Sequence, residues 1–232
     1  MSNDRPAEED CRVERATDRR IERLCKSCVA ATECDCAAVT IVSERGDAVR
    51  LLATDAMAAT LEDLQLTLGE GPCADAANSG RPVLADDLEH PATAPTRQWS
   101  AFTPAAIAAG VHSVFAFPLR IGVIRLGSFA LYRRLPAPLS ETALTAALDS
   151  VDTLAWLLLD LHPDVETHGQ GTGGRYDAVV HQAAGMVKVQ LDVPIADALA
   201  RLRAAAFGEG LAIDDLAKQV VGRQRRFLRD SI

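Results

Sequence analysis

The sequence lacks the motifs by which the common enzyme classes are recognised. It has no G-x-S-x-G, no Walker loop and no dinucleotide-binding fingerprint, and its Gly-rich run at 169–174 has neither a preceding strand nor a Lys-Ser/Thr ending. Histidines are few and show no metal-ligand spacing; they are His90, His112, His162, His168 and His181. We therefore predict that the protein is not an enzyme, and the sequence requires no cofactor.

Long apolar runs and a signal sequence are also missing. The longest apolar run, at 151–161, is interrupted by Asp152 and Asp160 and is too short to cross a bilayer. The first ten residues lack the basic and then apolar design of a signal peptide. We therefore expect a cytoplasmic protein with no membrane partner. Apolar residues make up 48% of the 232 residues, enough for one medium and one small globular domain.

Charge is distributed unevenly along the chain. Residues 175–232 carry nine basic and seven acidic side chains, a balance of +2, which leaves 15 and 25, a balance of −10, for residues 1–174. Affinity for a polyanion comes mainly from Lys and Arg set against phosphates, so a nucleic-acid surface is more plausible on the tail than on the body. A solvated helix end explains the same charges equally well.

Six cysteines are many for a cytoplasmic chain, and four of them lie close together near the N-terminus. The spacing of Cys25, Cys28, Cys34 and Cys36 fits a thiolate site for zinc or an iron–sulfur cluster. Cys25 and Cys28 also fall on the apolar face of one predicted helix, where cysteine often packs as a small hydrophobe. We favour packing, while metal binding and redox sensing stay open.

The segments between Thr17 and Leu161 alternate between helix-like and strand-like patterns. Residues 1–16 are polar and expected to be disordered. The order of elements favours an α+β fold with a mainly antiparallel sheet flanked by helices. The predicted elements are a helix at 17–32, strands at 37–42 and 48–54 joined by a turn at 44–47, helices at 57–66 and 73–78, a strand at 82–85, a helix at 99–109, strands at 111–119 and 123–132, and a long helix after Ser140.

Three short motifs in this region, LGEGPC at 68–73, GRPV at 80–83 and FPL at 117–119, resemble those of a GAF domain. They stand as in the GAF half of actinobacterial proteins that join GAF to ANTAR. The resemblance implies a sensor domain at 17–162 with a pocket for a small-molecule or redox signal; the pocket candidates are Glu70, Cys73, Phe102 and His112. Cys73 opens a short helix, where exposed N–H groups lower a thiol pKa, but turn packing explains it as well. Glu70 is also explained as a capping carboxylate.

The long helix after Ser140 has an apolar stripe wider than one side of a sheet needs. The helix from Thr17 carries its own apolar edge beside it, so we predict a homodimer through a four-helix seam. The stripe consists of Leu144, Leu148, Val151, Ala155, Leu158 and Leu159. His162-Pro163 is expected to end the helix, and residues 163–174 are predicted to be a Gly-rich linker.

Residues 175–232 contain three amphipathic helical segments. Pro194 is expected as the first helical residue of the second segment, before an apolar stripe that includes Ile195. The third begins near Ile213, and its terminal arginines suit the helix dipole; they are Arg223, Arg225, Arg226 and Arg229. The three stripes can bury one another as a small bundle, which would be marginal alone.

This bundle resembles the ANTAR domain, the RNA-binding antiterminator module of bacterial signalling proteins. The matching residues are QAAGM at 182–186, Ala198, Leu202-Arg203, Ala206-Phe207, Leu216-Ala217 and Val220-Val221. Ala184 stands where many members carry Lys, so that basic contact is missing or is supplied by Lys188. The resemblance implies RNA contacts from the outer surface. The candidates are Lys188, Arg201, Arg203 and Arg223, with Arg201 and Arg203 expected on the solvated side of the second helix.

The two resemblances together imply a signal-responsive transcription antitermination regulator that binds stem-loops of nascent leader RNA. The acidic part of the chain, residues 1–174, is expected to cover Lys188, Arg201 and Arg203 in the resting state, until a signal favours release of the three-helix bundle. A DNA-binding transcription factor with a sensor domain stays open, although the second and third segments lack the Arg, Asn and Gln expected on a recognition helix. A cysteine-based redox or metal sensor and a sulfoxide reductase of the GAF fold also stay open.

Overall fold

The structure, a computed structural model, describes residues 5–42, 48–90, 99–165 and 172–228. Its elements are, in chain order, α1 (Arg5–Thr32), β1 (Cys36–Val42), β2 (Ala48–Ala53), α2 (Ala56–Leu68), α3 (Pro72–Ser79), β3 (Val83–Ala85), α4 (Phe102–Ala108), β4 (Ser113–Ile121), β5 (Ile124–Arg133), α5 (Glu141–Val165), α6 (Thr172–Leu191), α7 (Ile195–Gly208) and α8 (Ile213–Val221). The turn predicted at 44–47 lies outside the described residues.

A five-stranded sheet organises the first two-thirds of the chain. Its strand order is β2-β1-β5-β4-β3, and every pair is antiparallel. The α+β prediction with an antiparallel sheet flanked by helices is confirmed. We call this unit, from α1 to α5, the sheet domain.

Helices cover both faces of the sheet. Successive side chains along each strand point to opposite sides, so each strand contributes side chains to two separate cores. On β5, Phe129 and Leu131 join one core with α1 and α5, while Ala130 and Tyr132 join the other with α2, α3 and α4. Cys73 and Tyr132, which take part in the candidate functional site described below, belong to the second core.

Several predicted helix ends differ from the observed ones. Ser140 caps α5 as predicted, since its Oγ accepts the Ala143 N–H at 3.1 Å. α1 begins at Arg5, so the start predicted at Thr17 is too late. α4 begins at Phe102 rather than at Trp99.

The linker predicted at 163–174 is shorter than expected on both sides. α5 continues beyond His162-Pro163 to Val165, and α6 already begins at Thr172. A proline in a last helical turn removes one backbone donor but does not have to end the helix there. Residues 166–171 lie outside the described part of the chain.

α5 contains a stretch, Glu141–Leu159, that is long and apolar enough to span a membrane by length and composition. The expectation that no segment meets this test is therefore wrong, because Asp149 and Asp152 are too few charges to exclude it. Its buried residues, Ala147, Leu154 and Leu158 among them, pack in the first core, where α5 contacts α1 and β4. A core helix of a globular domain has the same composition.

The predicted apolar stripes of the three C-terminal helices do pack against one another. The shared core consists of Ala183, Val187, Leu191, Ala198, Leu202, Ala206, Ile213, Leu216, Ala217 and Val220. We call α6, α7 and α8 the bundle. Pro194 is the N-cap of α7 and not its first helical residue, and Ile195 is 46% exposed instead of lying in the stripe.

The terminal arginines lie beyond α8 rather than in its last turn. α8 ends at Val221, and Gly222 caps it through a hydrogen bond from its N–H to the Lys218 carbonyl. Arg223 then adopts a left-handed conformation with a φ of 58°, and Arg225 pairs with Glu209. Arg229 lies outside the described residues. The helix-dipole explanation therefore does not apply to Arg223 and Arg225.

The four clustered cysteines do not converge on one site. Cys25, Cys28 and Cys34 are buried in the first core, whereas Cys36 is buried in the second core, on the other face of the sheet. Within the described ranges, no three Cys, His, Asp or Glu side chains are arranged to hold a metal. Burial raises the pKa of the Cys25 thiol to about 12, so this cysteine has the environment of a packed hydrophobe.

Candidate functional site

Four polar side chains are buried together between α2, α3 and β5. They are Glu62, Gln65, Cys73 and Tyr132, each at most 5% exposed, and we call them the buried polar cluster. The Tyr132 hydroxyl and the Cys73 thiol both donate to Glu62 Oε1, the thiol at 3.3 Å. Gln65 Nε2 donates to the Tyr132 hydroxyl at 2.9 Å, and Gln65 Oε1 accepts the Cys73 N–H at 2.9 Å. Each buried polar group therefore has a partner, as burial requires.

The sequence places two of these polar residues on the buried face of α2. Ala58, Leu61, Glu62 and Gln65 have the 3, 4, 7 spacing of one helical face, and all four are buried. Met57, Leu64 and Leu68 suggest a second, more apolar face, but they are only partly buried. The helix is set by Asp55, whose Oδ1 accepts the Ala58 N–H at 2.8 Å. Glu62, Gln65 and Tyr132 were not predicted from the sequence; for Glu62 and Gln65 the available signal was their spacing on the buried face of α2.

Cys73 is held in its neutral form by its surroundings. Burial raises the pKa of the thiol well above its ordinary value, and the neighbouring Glu62 carboxylate raises it further. The expectation that the N-terminus of α3 lowers this thiol pKa is therefore wrong, because desolvation and a like charge outweigh the helix end. Cys73 lacks the thiolate character that a redox sensor needs.

A cavity of about 330 Å³ lies between the sheet domain and the bundle. The sheet domain contributes residues of β1, β2, α2, α3 and β5, including Thr40, Glu62 and Cys73. The bundle contributes the opposite wall, which includes His181 and Arg203. We call this space the interdomain cavity. Its volume suits a small organic ligand, and such a ligand would touch both parts of the chain.

The bundle contacts the sheet domain mainly through α2. The Ile213 N–H, at the start of α8, donates to Thr67 Oγ1 of α2 at 3.3 Å. Arg203 of α7 lies against Gly69, the left-handed residue that caps α2: a Cβ built on Gly69 would be 2.8 Å from Arg203 Nη1. A guanidinium at the C-terminal end of a helix is favoured by the helix dipole. We call this arrangement of the bundle on the sheet domain the docked state.

The four RNA-binding candidates are not on one surface. Arg201 and Arg203 are half-buried, and Arg203 faces the interdomain cavity, so the expected solvated side of α7 is instead covered by the sheet domain. Lys188 and Arg223 are exposed. The prediction that the sheet domain covers Lys188 is wrong, because the side of α6 that carries it remains open to solvent.

Three of the four pocket candidates do not line the interdomain cavity. Glu70 Oε1 accepts the N–H groups of Ala101 and Phe102 at 2.7 and 2.9 Å, which is a capping role at α4. Phe102 is fully buried against Trp99, with ring centroids 6.2 Å apart. His112 lies beside Glu89, 3.6 Å from its Oε1. Only Cys73 lines the cavity.

A carboxylate pair marks the place where α2 and α8 meet. Asp63 pairs with Arg50 of β2, and the Arg50 guanidinium also donates to the Ala59 carbonyl at 3.0 Å. Asp214, in the first turn of α8, lines the same cavity. Burial, as the larger cause, and the neighbouring Asp63 together raise the pKa of Asp214 to about 6.

Comparison with known families identifies the larger domain. A family model described as a GAF domain matches residues 14–160, more than half of the chain. The chain belongs to the GAF domain family. A GAF domain is a sensor domain, so the protein is consistent with a role in signalling. The bundle lies beyond the matched residues, and no curated protein matches the chain.

Solved structures show the same fold. The GAF domain region of a Geobacter sulfurreducens protein is 16% identical, with a TM-score of 0.53, over 65% of this chain and 97% of that chain. A GAF domain from Synechocystis sp. in its photoproduct state is 12% identical, with a TM-score of 0.50, over 66% of this chain and 99% of that chain. At these identities the likeness establishes the fold of the sheet domain alone.

Proposed function

We propose that the protein is a signal-responsive transcription antitermination regulator. In this proposal the bundle acts as an ANTAR-like domain that holds stem-loops of a nascent leader transcript, so that the competing terminator hairpin does not form. The GAF domain controls this activity. The observation that carries the proposal is the docked state, in which Arg203, the direct match to the Leu-Arg pair of the ANTAR-like motif, lies against the GAF domain.

A basic surface remains exposed in the docked state. Lys188 lies near the end of α6, and the segment after α8 returns to this end, since the Phe227 N–H donates to Gln190 Oε1 at 2.8 Å. This segment carries the exposed Arg223 and Arg226. We infer that these exposed cations make the first phosphate contacts with RNA, and that Arg201 and Arg203 add contacts after the bundle is released.

A ligand in the interdomain cavity supplies the control. Because the cavity has one wall from each domain, a ligand that fills it interacts differently with the docked and released states. Only such a difference in binding free energy shifts the equilibrium. A nearly complete shift requires about 5 kcal/mol, which a buried small molecule is able to provide.

The homodimer remains part of the proposal, on a narrower surface than the sequence indicates. Val151, Ala155 and Leu158 are buried inside the GAF domain's own core and are not available to a partner. Leu148 and Trp156 of α5 are 42% and 61% exposed, and eight residues apart they share one helical face. We propose that this face packs on its copy around a two-fold axis.

Trp156→Glu is expected to convert the dimer to a monomer, because the interface would have to bury a charge without a partner. Light scattering at micromolar concentration measures the mass. Thr142→Glu is the control, since Thr142 is an exposed residue of the same helix that lies fourteen residues, nearly four turns, from Trp156. A wild-type chain that is already monomeric contradicts the proposed interface.

RNA binding is tested with the full chain. RNA that co-purifies with the protein is sequenced and synthesised, and its affinity is compared with that of a promoter duplex at near-physiological salt. Lys188→Ala is expected to weaken RNA binding by about 1–3 kcal/mol, as for a lost phosphate or base contact, and Arg203→Ala by a smaller net amount, because loss of its guanidinium also weakens docking. Preferential binding of the duplex would instead support a DNA-binding transcription factor.

Gly69→Ala tests whether docking restrains RNA binding. The new Cβ would displace the Arg203 guanidinium from the end of α2, at a cost to the docked state of about 1 kcal/mol, the usual value of a cation at a helix C-terminus. We therefore expect RNA affinity to rise about fivefold, while Arg203 itself remains available for RNA.

Gly80→Ala is a matched control for this substitution. Gly80 caps α3 with a φ of 66°, close to the 70° of Gly69, and its Cβ would lie 2.7 Å from Arg120 Nη1. Both variants therefore carry the same backbone strain and displace a guanidinium. Arg120 belongs to the GAF domain's own β4, so docking is not affected. An equal change in RNA affinity for both variants would show that docking does not restrain the bundle.

A further inference from the structure

We propose that docking of the bundle on the GAF domain is coupled to proton uptake by the carboxyl pair Asp63 and Asp214, so that acidification favours the docked state. The pair lies at the seam between the two domains, and each domain supplies one carboxyl group. This inference concerns the regulation of the proposed function and rests on it only for the consequence that RNA binding falls on acidification.

The geometry of α2 and α8 brings the pair together. Asp63 and Thr67 are four residues apart and therefore lie on one face of α2. Thr67 Oγ1 accepts the Ile213 N–H, and Asp214 is the next residue in the first turn of α8. Asp63 and Asp214 both line the interdomain cavity at this contact. Two carboxylates in such a setting repel each other when both are charged.

The surrounding charges only partly compensate this repulsion. Arg50 lowers the proton affinity of Asp214, but it is committed to Asp63 and to the Ala59 carbonyl. Within α8, Lys218 lowers the pKa of Asp214 and Asp215 raises it. Lys218 Nζ donates a hydrogen bond to Asp215 Oδ1 at 2.9 Å. The remaining charged or titratable groups that line the cavity are Glu62, Cys73, Arg125, His181 and Arg203.

The direction of the pH dependence follows from the two states of Asp214. In the docked state burial and Asp63 raise its pKa to about 6, whereas release exposes the carboxyl and returns it towards 3.8. The docked state therefore binds the proton more tightly, and docking is favoured at low pH and lost as the pH rises through about 6. By linkage, the docking constant increases by up to about tenfold when the pH is lowered from 8 to 5. Screening of the half-buried carboxyl by solvent makes this increase smaller.

The experiment measures hydrogen exchange of the Ile213 amide by NMR in the full chain. This amide donates across the seam to Thr67 Oγ1, so its protection factor, corrected for the intrinsic exchange rate, reports docking. We expect the protection factor to rise severalfold, up to about tenfold, from pH 8 to pH 5. The Leu202 amide in the bundle core reports whether the bundle stays folded at each pH.

Substitutions assign the effect to the pair. Asp214→Asn is expected to keep the Ile213 amide highly protected at every pH and to remove the pH dependence, and Asp63→Asn to move the midpoint to lower pH. Asp215→Asn, which changes an exposed neighbour in the same helix, should keep the pH dependence and lower its midpoint by less than Asp63→Asn does, because Asp215 raises the pKa of Asp214 less than Asp63 does. His181→Asn should leave the profile unchanged, which matters because imidazoles in general titrate near neutral pH.

A flat wild-type profile, or a pH dependence that persists in Asp214→Asn, overturns the proposal. RNA affinity at pH 5.5 and 7.5 is measured separately. If exchange follows the predicted profile while RNA affinity does not, the proton coupling stands and the proposed function fails. If RNA binds as proposed while exchange is independent of pH, the proton coupling fails and the proposed function stands.

Discussion

Gly127→Ala is expected to unfold the GAF domain under conditions in which Gly122→Ala stays folded. Gly127 lies in β5 opposite β1, and a Cβ at this position would be 1.9 Å from the Thr40 carbonyl oxygen and 2.8 Å from the Ile41 Cα. These are backbone atoms of the neighbouring strand, so no side-chain rotation relieves the overlap. The strands would have to separate at the centre of the sheet, and we expect a loss of at least about 4 kcal/mol in the free energy of unfolding.

Gly122 provides the control because it lies in the turn between β4 and β5. It also has a positive φ, 59°, but a Cβ there would meet nothing within 4 Å. Only the left-handed backbone penalty remains, about 1–2 kcal/mol. Urea denaturation followed by circular dichroism measures both variants. Similar losses for the two would show that the β1–β5 spacing adapts and that Gly127 has no special role.

The same part of the sheet forms a wall of the interdomain cavity. Thr40 and Ser128, on either side of the close β1–β5 approach, both line it, and Thr40 Oγ1 donates to Glu62 Oε2 at 2.6 Å. The close packing of these strands therefore positions the buried polar cluster relative to the cavity. In the proposed function, a ligand there would contact the sheet of the GAF domain on one side and the bundle, whose release we propose, on the other.

Local patterns in the sequence were sufficient for most of the fold. The apolar runs of β4 and β5, the cap at Ser140 and the apolar stripes of α6, α7 and α8 depend on neighbours along the chain, and the structure has them. The motifs at 68–73 and 80–83 also indicated breaks in regular structure. In the structure Gly69 and Gly80, within these motifs, adopt left-handed conformations and cap α2 and α3. These features are local because hydrogen bonds and backbone sterics act over a few residues.

Features that depend on packing between distant segments were predicted poorly. Arg203 has the spacing of a solvated residue within α7, and only the position of α2 reveals that this side is covered. Phe102 is the first residue of α4 and His112 immediately precedes β4, so both lie at the ends of regular elements, where pocket residues are often found. In the fold neither of them lines the cavity. Tyr132 is 59 residues from Cys73 along the chain, so no local pattern connects their side chains.

The buried polar cluster is expected to be sensitive to loss of a single amide. Gln65 bridges three elements: its Oε1 accepts the Cys73 N–H at the start of α3, and its Nε2 donates to Tyr132 of β5. Gln65→Ala leaves an unpaired buried N–H and a small cavity beside Glu62. We expect the free energy of unfolding to fall by about 3 kcal/mol, the sum of a lost buried hydrogen-bonding partner and a large-to-small substitution.

Gln65→Met separates the two contributions, because it keeps most of the volume and removes the hydrogen bonds; we expect it to cost about 1–2 kcal/mol. Gln182→Ala is the matched control, an exposed glutamine of α6 whose removal should change stability by less than about 0.5 kcal/mol. All three are measured by urea denaturation at one pH. If Gln65→Ala and Gln182→Ala have equal effects, the cluster does not stabilise the fold. If Gln65→Met is as costly as Gln65→Ala, the hydrogen bonds rather than the packed volume hold α2, α3 and β5 in the arrangement that forms the floor of the cavity.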